Sequence, residues 1–202
     1  MSLKAKYTAS EDREPIPAGL HHAICYAVVD LGTQYSEMYD NAKHQILFVW
    51  EIKKQRIEVE RDGKKEDMPR AISKRYNASV HEKSTLSHDI TGWRGTGFSP
   101  AEMKDGFDAR VMAGENCMLN ITHKVGSDGK NRAKVSAIAP LMPEMVATLS
   151  ENPLVVYDID ENGWEVPAGT PPWTIDVIKE SYEYKEAHKD AAPEAEEDQV
   201  PF

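Results

Sequence analysis

Residues 70–125, RAISKRYNASVHEKSTLSHDITGWRGTGFSPAEMKDGFDARVMAGENCMLNITHKV, change period twice. That change decides the fold. From Arg70 the residues alternate, with Arg70, Ile72, Lys74 and Tyr76 on one parity and Ser73, Arg75, Asn77 and Ser79 on the other, as a strand requires. Residues 82–113 hold two helical pieces interrupted by glycines. Ser99-Pro100-Ala101-Glu102 opens the second, with serine at the N-cap, proline at the first position and glutamate three residues after the cap. Gly114 is expected to close it. In residues 116–125 the alternation returns, Cys117, Leu119, Ile121 and His123 against Asn116, Met118, Asn120 and Thr122.

Upstream, GLHHAICYAVVDLG (19–32) reads as a first strand closing on Gly32, and residues 32–43 as a polar connection. HQILFVWEI (44–52) is a second strand, and residues 53–69 form a charged hairpin tip turning at Asp62-Gly63. Downstream, GSDGK is a tight turn into a fifth strand from Asn131, with Arg132, Lys134 and Ser136 on one face. Three strands, a helical segment and a two-strand hairpin make a mainly β chain. The order is that of a five-stranded OB barrel with its helix between strands three and four. A generic small β-barrel or sandwich is the competing reading. Residues 1–18 read as a leader, 19–139 as the barrel, 140–186 as an ordered extension packing on the barrel or a neighbouring subunit, and 187–202 as a disordered acidic tail.

The 202 residues carry a net charge of −10, unevenly spread. Residues 43–134 hold 18 Lys/Arg against 13 Asp/Glu, whereas residues 135–202 hold three against 15. A basic body with an acidic C-terminal third suits a polyanion partner better than the total suggests. Cys25 and Cys117 each lie in an apolar run, which fits buried thiols in a reducing, cytoplasmic setting. No run approaches the 18 or so apolar residues of a membrane span.

An OB face holds single strands by stacking bases on rings while cations follow the phosphates. The candidate cations are Lys53, Lys54, Arg56, Lys64, Lys65, Arg70, Lys74, Arg75, Arg94, Lys124, Lys130, Arg132 and Lys134. Tyr26, Tyr35, Tyr39, Trp50, Tyr76 and Trp93 are the candidate platforms. Pattern leaves Trp50 open between core and platform, favours platform for Tyr76, and lets Trp93 lie either in a loop over a strand or inward at a helix break. Phe48 and Phe107 read as core.

The chain ends EAEEDQVPF (194–202). A basic OB-like body with such a tail resembles the bacterial and phage single-stranded-DNA-binding proteins, whose acidic tails end in Ile-Pro-Phe or Phe. LGTQ (31–34) and WRGTGFSPAE (93–102) also look like small proteins of phage replication and recombination clusters. The resemblance implies sequence-non-specific binding of single-stranded DNA without enzymatic activity or cofactor, in a bacterial or phage-infected cell. It implies that Asp198, Val200, Pro201 and Phe202 dock on replication and recombination proteins, and it includes homo-oligomers. Gln199 departs from the acidic tip, and residues 140–189 from the family's flexible linker.

Two rivals belong to other classes. Asp30 and Glu51-Ile52-Lys53 mimic the Asp…Glu-x-Lys set of a magnesium-dependent nuclease. A protein-binding adaptor with a solubilising tail is the other. The histidines show no metal-ligand spacing, and Walker A, dinucleotide and GxSxG motifs are absent from the sequence.

Overall fold

The computed structural model describes residues 14–61 and 64–189. Long β-branched and aromatic runs form three strands, β1 (Gly19–Ser36), β2 (Asn41–Arg61) and β3 (Lys64–Asn77). The helices α1 (Thr85–Arg94) and α2 (Pro100–Asp105) follow, then a 3₁₀ turn (Ala109–Met112) and the hairpin β4 (Asn116–Val125) and β5 (Asn131–Ala139). The strand order is β3-β2-β1-β4-β5, every neighbouring pair antiparallel. The sheet curls because α1 packs on both outer strands, β3 and β5. At Gly92 a Cβ would meet the Ile138 carbonyl oxygen at 2.7 Å, so glycine lets α1 sit directly on β5.

Several boundaries differ from the sequence reading. Gly32 does not end the first strand: it is a bulge with φ 68, and pairing resumes from Thr33↔His44 to Ser36↔Asn41. The polar connection therefore shrinks to residues 37–40. The capping box at Ser99–Glu102 forms, but α2 ends at Asp105 with Gly106 as its cap, well before Gly114. The leader's last residues belong to the body: Ile16 is buried, its carbonyl meets His123 Nε2 at 2.8 Å, and Arg70 donates to the Glu14 carbonyl. At the other hairpin the Arg61↔Lys64 pairing leaves only residues 62–63 between β2 and β3.

Both faces of the sheet are covered. On the inner face Phe48, Trp50, Tyr76, Ile90, Trp93, Leu119 and Ile121 form the main core with α1. On the outer face Ala27, Val29, Leu31, Leu47 and Val49 lie under the C-terminal extension. This consists of β6 (Val155–Tyr157), parallel to β1, and the short helices α3 (Ile159–Asn162), α4 (Trp173–Lys179) and α5 (Tyr182–Ala187). The extension is latched by charge as well as by apolar contact. Glu51, fully buried, accepts from the Glu151 and Asn152 amides (2.8 and 2.9 Å) and from Asn152 Nδ2 (2.8 Å). Glu183 of α5 accepts from the Thr33 amide (2.8 Å) and hydroxyl (2.6 Å).

Candidate nucleic-acid interface

The inner-face aromatics are not platforms. Trp50, Tyr76 and Trp93 are 0%, 3% and 4% exposed and pack with Phe48 at centroid distances of 5.6–6.1 Å. Trp50 and Tyr76 occupy the strand parity facing α1 and Trp93 points in from α1 itself, so no base can reach them without opening the core. Lys74 shares that face and its charge is consumed there: it pairs with Asp89, which also accepts from the Tyr76 hydroxyl at 2.7 Å. Trp93 closes inward at the end of α1, its Nε1 donating to the Asn116 carbonyl. Tyr26 is buried on the outer side. Of the six candidate platforms only Tyr35 and Tyr39, flanking the β1–β2 turn, are exposed, at 51% and 72%.

Several other candidate cations are also spent on carboxylates. Arg56 bridges Asp67 (3.0 Å) and Glu151 (2.9 Å). Arg94 pairs with Glu102 at 2.7 Å and lies over the Phe98 and Phe107 rings. Arg132 pairs with Asp128 and Lys65 with Glu58. Those carboxylates raise the pKa of Arg56 and Arg132. Lys53 and Lys54, at the irregularity in β2, and Lys124 and Lys134, on the β4–β5 hairpin, make no ion pair among the described residues.

One place gathers unspent charge. A cleft of about 690 Å³ opens where the base of the β2–β3 hairpin meets the start of α1. Lys43, Arg75 and Lys83 line it with His81 and the Asp30-bound His44, and no carboxylate is among its described lining residues. Strand pairing puts Gln45 opposite Asn77 and Leu47 opposite Arg75, which places Arg75 on the outer parity of β3. Partial desolvation in the cleft lowers the pKa of Arg75, the reverse of the paired arginines. Ser84 caps α1, and the helix has no acidic residue in its first turn, so its positive end adds to the field. Sequence reading passed over Lys43 and Lys83. Neither lies beside an aromatic residue, and only the approach of α1 to β3 brings them together.

The nuclease set does not assemble. Glu51 pairs with Ile24 and Asp30 with Ile46, six residues apart along β1, or about 20 Å at strand rise. Glu51 is moreover saturated by N–H donors, and Asp30 holds His44 Nε2 at 2.8 Å and the Gly32 amide. Among the described residues no group of three or more His, Cys, Asp or Glu is placed to hold a metal ion. Cys25 and Cys117 are buried, which pushes both thiols up. Asp198, Val200, Pro201 and Phe202 lie outside the described residues. No described helix is long and apolar enough to cross a membrane. Comparison with family models, curated proteins and solved structures finds no match to the chain.

Proposed function

We propose that this chain binds single-stranded DNA without sequence preference, serving replication or recombination, and that its fold is an OB barrel left open between β3 and β5. The observation that carries the reading is the cleft in which Lys43, Arg75 and Lys83 converge with no carboxylate among its described lining residues. Three cations with no ion-pair partner among the described residues repel one another and gain from a polyanion that releases its own counter-ions on binding. The backbone follows the outer face of β3 through this cleft, and Tyr39, on the turn beside Lys43, is within reach of a base. The strand order and the helical segment between β3 and β4 support the OB assignment. Asp198 and the Val200-Pro201-Phe202 tip serve as the docking element for partner enzymes: phenylalanine fills an apolar pocket while the carboxylates meet basic residues.

The test is fluorescence anisotropy of labelled oligo(dT) and of a labelled duplex against the full chain across a salt series. Preferential binding of oligo(dT) that weakens with salt supports the reading. Absence of binding at low salt overturns it and returns the chain to the protein-adaptor class.

A further inference from the structure

A second groove, of about 840 Å³, runs along the outer face of β3 beneath the C-terminal extension. Ala71 and Ser73 form its floor and Pro171, Pro172 and Trp173 its wall. No charged residue is among its described lining residues. Trp173 is 44% exposed, although its neighbours hold it in a rigid frame. Two prolines precede it, and the fully buried Thr174 donates its hydroxyl (2.7 Å) and amide (2.9 Å) to the Pro171 carbonyl. A large ring left half in solvent across a groove from two small side chains is not fully buried by its own chain. Such a surface suits a flat partner that completes the contact. Ala71, Ser73 and Arg75 share one parity of β3, so Arg75 follows Ser73 by about 7 Å. Along the outer face of β3 the uncharged slot at Ser73 is thus followed by the cationic cleft at Arg75, the order a base and its phosphate would require.

We infer that Trp173 is a base-stacking platform: one nucleobase of the bound strand lies between its ring and the outer face of β3, while Arg75 meets the neighbouring phosphate. The inference rests on the single-strand reading above and names a subsite within it.

Trp173 is well suited to report on itself. Of the four tryptophans, Trp50 and Trp93 are core, and Trp164 is partly buried edge-on to Tyr184 at 5.0 Å. Unlabelled oligo(dT) is titrated into the full chain, with tryptophan emission and the anisotropy of a labelled oligo(dT) read in parallel. The expected result is quenching in the wild type and its loss in Trp173→Phe, whose affinity stays within about threefold because a ring remains. Trp173→Ala weakens binding about tenfold or more. Ser73→Glu, an exposed strand position, puts a carboxylate on the groove floor and weakens binding to a similar extent should the alanine variant fold poorly. If the wild type binds and is quenched no less in Trp173→Phe, or if Ser73→Glu and Trp173→Ala bind as the wild type does, the subsite is overturned and the single-strand reading stands. If the wild type binds no oligo(dT), both fall together.

Discussion

The two faces of the β2–β3 hairpin are built from the same kinds of residue and put them to opposite ends. On the inner face Trp50, Tyr76 and Lys74 are enclosed by α1, and Asp89 neutralises the lysine. On the outer face Arg75 and Lys43 have no carboxylate beside them among the described residues, and Trp173 from the extension stands half exposed over the groove on β3. Lys74 and Arg75 are adjacent in the chain, yet one stabilises the fold and the other is available to a ligand. Strand parity separates them, since successive side chains point to opposite faces. Residue type says little about binding until the face is known.

The contrast can be broken most severely with the tryptophans. Trp50→Ala should cost about 3–5 kcal/mol of stability, whereas Trp173→Ala should cost under about 1 kcal/mol by urea unfolding, because its ring is already half in solvent. Comparable losses would mean that the two environments are not distinct. The buried ion pair comes next. Asp89→Ala leaves Lys74 and the Tyr76 hydroxyl without their acceptor and should destabilise the chain by about 3 kcal/mol. Replacing Lys74 by Met in the same background should recover much of that, so a double variant no more stable than Asp89→Ala would deny the pairing its role.

The outer cations act on affinity instead. Lys43→Ala and Arg75→Ala should each lower the slope of log affinity against log salt by about one, leaving the unfolding midpoint in urea unchanged. A fall in stability with an unaltered slope would place them in the fold rather than in the interface.

The smallest effect sharpens the seam between strand and extension. His44 lies between Asp30 and Glu183 of α5, with Asp160 adding to the local negative field. The hydrogen bond to Asp30 raises its pKa above the ordinary 6.5, although partial burial opposes this. The native state therefore holds the proton more tightly than the unfolded chain does. That stabilisation is complete below the ordinary value and fades as pH climbs through the raised one. The melting temperatures of the wild type and His44→Gln should differ most at about pH 6 and converge above about pH 8. A gap that does not change with pH would show that the His44 charge plays no part there.

Local rules carried the sequence reading a long way. The alternation of residues 116–125 and the capping box at Ser99 each depend on residues only a few positions apart. Gly32 misled because the same rules make glycine a strand terminator. Here it is a bulge whose missing side chain admits Ser181, to which a Cβ would come within 2.6 Å. The candidate site was legible only in part: Arg75 stood out, whereas Lys43, Lys83 and Trp173 did not.

By itself the sequence determined the kinds of element, their order and the basic character of the body, because periodicity, caps and composition are short-range properties. The tertiary structure decided which rings are core and which cations are free, because those fates depend on partners far along the chain. Lys74 is neutralised by a residue 15 positions away, Arg56 by one 95 away, and Glu51 is saturated by one 101 away. No pattern within a strand encodes those meetings, since the partners come together only when the sheet curls around α1 and the extension closes over its outer face.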